Sequence, residues 1–300
     1  MSGKLQKIRD GVALPDMSVV TDPDRRFDFM ASFGAKAIIL AWGVLFLFPL
    51  YYGLAGSTMT RAEMYTFPPR LLPGTTFLEN YQITVFETRF LQSMGNSLIF
   101  SVGSTIGLLL ICAPGGYAFA KFNFRGKRLL LVLILAFLAI PFHLVAIPLF
   151  KLAVDFGIVN TYMGAILPAM AAPLGIFFMK QYSEQVVDSN LIRSGRIDGA
   201  SEMRIFYHII LPILKPGLLA IGVLMFILRM QELFWPLIIL RERNLHVFQV
   251  WVAGLRSDHG PEPFEIIFPA SVMMTLLLLV IFIMFQKHFV RGLTQTSIKG

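Results

Sequence analysis

Six stretches of this chain are long and apolar enough to cross a hydrocarbon layer, and no other feature constrains its fold as strongly. They run over roughly 33–57 (densest from Ala37 to Leu50), 93–120, 129–150, 162–180, 213–240 and 268–286. About 20 consecutive apolar residues suffice for one helical crossing. Lipid offers nothing to an unpaired backbone N–H or C=O, so such stretches are read as helices that satisfy those groups internally. The expected fold is an all-α polytopic membrane protein with six transmembrane helices. Composition agrees, since only 15% of the 300 residues are charged where soluble chains average about 25%. A soluble enzyme and a disordered chain are both excluded.

Charge placement gives an orientation. Eighteen of the 26 Lys and Arg fall before residue 37, in 121–128, in 180–215 and after residue 286, all on one side if six spans alternate. Seven lie on the other side, and Arg229 falls inside the fifth span. Positive charge collects in cytoplasmic loops, so both termini are expected in the cytoplasm. Topology thereby accounts for the pI near 9.7, and no nucleic-acid-binding module is present. Residues 1–32 read as a cytoplasmic leader, 33–290 as the six-span domain and 291–300 as a cytoplasmic tail. Pro49, Pro114, Pro141, Pro148, Pro173, Pro236 and the Gly115-Gly116 pair are expected to interrupt the helices, which a bundle tolerates when neighbours re-satisfy freed backbone groups.

Chemistry-bearing clusters are sparse. The single cysteine, Cys112, forms no intrachain disulfide. His143, His208, His246, His259 and His288 lack metal-ligand spacing, so neither a metal nor another cofactor is expected. Gly126-Lys127-Arg128 lacks the upstream Gly and the hydroxyl of a phosphate-binding loop. Arg229 and Glu232 lie three apart on one helical face, placed either as a buried ion pair or on a translocation path. Trp42 and Trp251 read as interfacial anchors or lipid-facing bulk.

The informative loop is 183–212. Asp188, Ser189 and Asn190 can cap a first helix containing Leu191, Ile192 and Ile197, and Asp198-Gly199 break it. Asp198 or Ser201 can cap a second containing Met203, Ile205, Phe206, Ile209 and Ile210, which Pro212 is expected to separate from the next span. Gly199 is expected to permit close approach of the two helices. An apolar helix–turn–helix beside the membrane is suited to docking.

The spacing within this loop resembles the coupling loop of binding-protein-dependent ABC importer permeases. Arg193-Ser194-Gly195, three residues, Gly199, nine residues, Ile209, one residue, Leu211-Pro212 fits that pattern, and Arg196-Ile197-Asp198-Gly199-Ala200 is similar to its carbohydrate branch. Arg193 stands where Glu is usual. The segments Gly116 to Phe122, Phe124 to Lys127, Asn160-Thr161-Tyr162, Ile166-Leu167-Pro168, Trp235-Pro236-Leu237 and Gly292-Leu293-Thr294 resemble the second permease subunit of maltose-type systems.

The resemblance implies the type I ABC importer permease fold in a bacterial inner membrane. It implies as partners a homologous second permease, a dimer of ATP-binding subunits, an external solute-binding protein and surrounding membrane lipid. The cargo implied is a carbohydrate or polyol, with a phosphorylated or sulfonated glycerol or sugar as the alternative. An ion-driven secondary carrier and an intramembrane enzyme are disfavoured, because no second buried carboxylate or His/Asp/Glu cluster accompanies Arg229 and Glu232. By the same resemblance, Trp251, Gly254, Arg256 and Asp258 are candidate contacts for the binding protein. Lys299 and Gly300 are candidate contacts of the tail with the ATP-binding subunits.

Overall fold

The computed structural model describes residues 23–171, 173–259 and 263–294, with side chains described for 36–171, 173–255 and 263–286. Two compact units are distinguished, 1–55 and 56–300. The described part of the first is one helix, α1 (Pro23–Gly56), with Pro49 inside it. This helix begins inside the stretch expected to be leader; residues 1–22 lie outside the described residues.

The second unit carries the remaining helices: α2 (Arg61–Met64), α3 (Phe77–Gln82), α4 (Phe90–Lys121), α5 (Lys127–Ala139), α6 (Phe142–Asp155), α7 (Tyr162–Met170), α8 (Pro173–Val186), α9 (Ser189–Ile197), α10 (Glu202–Ile205), α11 (Leu211–Met230), α12 (Phe234–Ile239), α13 (Phe248–His259) and α14 (Phe264–Thr294). Among the described residues four helices are long and apolar enough to cross a membrane, or up to six if two bent pairs each count as one span. Two of the expected interruptions, at Pro141 and Pro173, fall at these bends. Residues 129–150 divide between α5 and α6 at 105°, and 162–180 between α7 and α8 at 41°.

The first bend follows from Pro141. A proline pushes the residue before it out of the α region, and Ile140 is extended (φ −83°, ψ 118°) as is Pro141 (φ −58°, ψ 127°). Pro49, Pro114 and Pro148, which were expected to interrupt, lie within continuous helices, and Pro236 lies within α12. The Gly115-Gly116 pair does not break α4 either. Gly116 is where α4 and α8 cross: a Cβ there would clash with the backbone of Met179 and Lys180, at 2.7 and 2.8 Å from the Met179 carbonyl carbon and the Lys180 nitrogen. Small residues that let helix backbones touch are the usual means of packing within lipid, where burial of apolar surface supplies little drive.

α11 packs on α4, α8 and α14, α4 packs on α7 and α8, and three apolar clusters lie between these and the shorter helices. One joins Cys112, Tyr117, Met179, Tyr182 and Leu214 to Ile192, Ile205 and Ile210. A second surrounds Phe100, Trp235 and Ile239. The third holds Phe90, Met230, Phe248, Trp251 and Ile266. The segment before α4 is tied down locally: Asn80 donates to the carbonyls of Ser57 and Met59, and Arg61 pairs with Glu265 on α14 at 2.5 Å.

Gly116→Val overpacks the α4–α8 crossing and is expected to cost about 1–3 kcal/mol, whereas Gly115→Ala, whose nearest neighbour is Ile176 at 3.9 Å, is expected to be near neutral. Thermal midpoints of the purified variants check this. Equal midpoints would mean that the crossing is not close.

Candidate functional site

The helix–turn–helix is closed by a defined backbone motif. Asp188 caps α9, its carboxylate accepting from the Asn190 N–H at 2.9 Å. At the other end, the Gly199 N–H donates to the Arg196 carbonyl and the Ala200 N–H to the Gly195 carbonyl, at 3.1 and 3.0 Å. With Gly199 at φ +74°, this is the Schellman arrangement, in which a left-handed residue just past the helix satisfies carbonyls the helix leaves over. Ser201 then caps α10, its hydroxyl accepting from the Arg204 N–H at 3.4 Å. Arg196 donates to Glu202 across the turn at 2.6 Å, and this bond raises the Arg196 pKa above its ordinary value.

Two expectations are corrected. Nothing lies within 4 Å of a Cβ built on Gly199, so glycine is required there by φ and not by close approach. The close approach is at Gly195, whose added Cβ would stand 3.0 Å from Ile205 Cγ1. Pro212 does not separate the second helix from the span: one helix runs from Glu202 to Met230 through a π-turn at Phe206–Ile210. Proline clashes with the carbonyl four residues back, here that of His208, and a wider π-turn at that point displaces the carbonyl.

The loop has a rooted face and a presented face. Ile192, Ile205, Phe206 and Ile210 are buried with the ends of α4, α8 and α11, while Ala200, Ile209 and Leu211 pack against them. Arg193, Ser194, Asp198 and Pro212 are exposed, and Ile197 is the most exposed apolar side chain of the loop at 85%, flanked by Met203 and Tyr207.

Deeper in the bundle a cavity of about 620 Å³ is lined by His143, Trp235, Arg229 and Glu232 among others. Phe142 meets Phe234 and Trp235 edge to face, and His143 lies against Phe234 at 4.3 Å. Arg229 Nη1 stands 3.7 Å from Glu232 Oε2, too far for a hydrogen bond. Its stronger contact is Nη2, which donates to the Ala169 carbonyl at 2.8 Å. The reason lies four residues on, where Pro173 begins α8 and has no N–H to offer that carbonyl. Arg229 therefore supplies the donor that Pro173 lacks, and its charge sits at the C-terminal end of α7, where the helix dipole favours a cation. Sequence reasoning missed this contact, although an Arg in one span and a Pro in another were both visible.

On the remaining candidates, Trp251 is only 8% exposed and packs on Phe90 and Phe248, which corrects the reading of it as an anchor and leaves its ring facing the core. Gly254 is half-buried on α13. Arg256 and Asp258 belong to α13 but their side chains lie outside the described residues, as do Lys299 and Gly300 entirely. Among the described residues of this region, Arg241 to Asn244 form an exposed run. That turn is held from below: Asn160, at φ +59°, accepts the N–H groups of Arg241 and Glu242, and Asn96 donates to the carbonyls of Asn244 and His246. Among the described residues no group of three or more His, Cys, Asp or Glu could hold a metal ion.

Residues 103–295 match the family described as binding-protein-dependent transport system inner membrane component. The chain is 34% identical to the arabinooligosaccharides transport system permease protein AraQ of Halalkalibacterium halodurans, over 76% of this chain and 81% of that one. It is 30% identical to the sn-glycerol-3-phosphate transport system permease protein UgpE of Salmonella typhi, over 88% and 96%. Its fold matches a chain in the crystal structure of a bacterial ABC transporter involved in the import of the acidic polysaccharide alginate, with a TM-score of 0.76, 21% identity and coverage of 88% and 98%.

Two experiments follow from the geometry. Gly199→Val forces a β-branched residue into the left-handed region at a cost of about 1–2 kcal/mol, whereas Asn is tolerated there; assembly with the ATP-binding subunit is expected to fail for Val and persist for Asn. Equal behaviour of the two would rule out a φ requirement. Arg229→Met leaves the Ala169 carbonyl unpaired and is expected to cost about 1–3 kcal/mol in thermal stability, with Glu232→Gln milder. The double variant should recover only the part due to mutual charge. Full recovery would show that the pair, and not the carbonyl, is what Arg229 serves.

Proposed function

Since the chain belongs to the binding-protein-dependent transport system inner membrane component family, we propose a carbohydrate as its cargo and the α9–α10 turn as its site of coupling to ATP hydrolysis. The chain is a multi-pass inner-membrane permease subunit of an ABC importer and is not itself an enzyme. Such an importer works with an ATP-binding subunit and a solute-binding protein.

The finer assembly is our reading. A homologous second permease completes the pore, two ATP-binding subunits seat on the cytoplasmic face, and both termini lie on that face, as the Lys and Arg distribution supports. The single observation that carries the coupling role is the two-sided loop, with Ile197 presented at 85% exposure while Ile192, Ile205 and Ile210 are rooted in the core. Closure of the ATP-binding subunits draws on the presented face, and the rooted face passes that displacement to α4, α8 and α11, biasing two arrangements of the bundle. The Arg241–Asn244 turn is the part of the opposite loop offered to the solute-binding protein.

For the cargo, the support is the aromatic wall formed by Phe142, Phe234 and Trp235 beside polar groups in the 620 Å³ cavity, a lining suited to stacking on sugar faces, together with AraQ. A phosphorylated glycerol is the second reading, supported by UgpE and by the Arg229 Nε, which is buried without a hydrogen-bond partner.

The test is uptake by the complete importer in proteoliposomes, offered an arabinooligosaccharide or glycerol 3-phosphate with ATP enclosed. Uptake is expected for the sugar only and to depend on ATP. Ile197→Asp should lower it about tenfold or more, because a carboxylate forced into an apolar groove is poorly compensated. Uptake driven by an ion gradient without ATP would overturn the coupling reading; ATP-dependent uptake of glycerol 3-phosphate alone would overturn the cargo.

A further inference from the structure

We propose that the depression between the start of α5 and the middle of α8 binds the headgroup of an anionic phospholipid, with its acyl chains along α5. This rests on the chain being a membrane span and is independent of its cargo.

α4 ends at Lys121 and α5 begins at Lys127, so the five residues between them turn at the level where two membrane helices meet the headgroups. The depression there has a volume of about 890 Å³, with Asn123, Lys127, Arg128 and Lys180 on its polar side and Leu129 and Val132 on its apolar side. Three cations line it, Lys127, Arg128 and Lys180, against the lining acid Glu184, and Lys121, at the end of α4, and Arg125, in the connecting turn, flank it.

Their local partners separate them. Lys180 pairs with Glu184 at 2.8 Å, Lys121 donates to the Glu184 carbonyl and Lys127 to the Phe122 carbonyl. Arg125 and Arg128 make no ion pair or hydrogen bond among the described residues and are exposed. A guanidinium offers a fork of donors matched to phosphate oxygens, and clusters of Lys and Arg next to a span attract anionic lipid. The α5 N-terminus adds to this, since Gly126 (φ +81°) supplies no side-chain cap for its first-turn N–H groups.

The apolar half selects the occupant. α5 buries none of its side chains, and Leu129, Val132 and Phe137 stand exposed along it below the guanidinium groups. A free phosphate would use the cations and leave that strip unexplained. A membrane helix of another chain would cover the strip and leave two guanidinium groups without counter-charge. A phospholipid with a net negative headgroup answers both.

The test uses the complete importer in nanodiscs of mixed phosphatidylglycerol and phosphatidylcholine, with retained lipid counted by native mass spectrometry after transfer to detergent. Phosphatidylglycerol is expected to be retained over phosphatidylcholine and to raise the thermal midpoint of the wild-type complex. Retention should fall about fivefold for each charge removed in Arg125→Gln and Arg128→Gln. These side chains are exposed, and size-exclusion profiles check that the variants assemble. Equal retention of the two lipids overturns the proposal, as does retention unchanged in the double variant. Displacement of the lipid by millimolar glycerophosphoglycerol would reduce the site to one for free phosphate esters. A crosslink showing residue 128 covered by the second permease, with no lipid retained, would assign the strip to that chain.

Discussion

Inside a bilayer no water is available to accept a stray backbone hydrogen bond, and departures from regular helix in this protein are shaped by that constraint. The clearest case is the break before Pro173. The carbonyl of Ala169 loses its donor when the chain reaches proline, and a guanidinium from a helix 60 residues away replaces it. A charged residue in the membrane is expensive, so its presence on α11 is accounted for by a local need on α7. The arrangement also fixes the relation of α11 to the broken span, and it places Arg229 and Glu232 on the wall of the cavity without making them a tight pair.

The same constraint shapes the α9–α10 loop. Its turn satisfies carbonyls at the end of α9, because Asp198, Gly199 and Ala200 donate back to Ser194, Arg196 and Gly195. Stiffness follows from that closure, reinforced by the Arg196–Glu202 bond across the turn. Because the buried side of the loop shares a cluster with Met179, Tyr182 and Leu214, displacement of the turn is not absorbed locally. A flexible linker in the same place would dissipate any motion applied to the turn.

How much of this was legible in the sequence depended on the range of the interaction responsible. Helix existence, the break at Asp198-Gly199 and the short sets of candidate caps that include Asp188 and Ser201 are set by neighbours in sequence and could be read directly. The effect of each proline could not, because Pro141 ends a helix while Pro114 lies within one, and the difference lies in surrounding contacts that a single sequence does not display. Trp251 was read as an anchor because tryptophan favours interfaces, yet Phe90 and Phe248 enclose it. Close approach was expected at Gly199 and is found at Gly195 for a similar reason: both glycines were visible, but which one met a side chain depended on how α9 folded back on α10.

Asn160 deserves a last consequence. One amide oxygen, carried on a left-handed residue, receives the N–H groups of Arg241 and Glu242, residues 81 and 82 positions further along. The backbone of the Arg241–Asn244 turn is thus immobilised before anything touches it. Ordering a loop on contact normally subtracts from affinity, and here that loss has already been met during folding. A protein that docked on this turn would meet a fixed template, and its discrimination between cognate and foreign surfaces would rest on side chains alone.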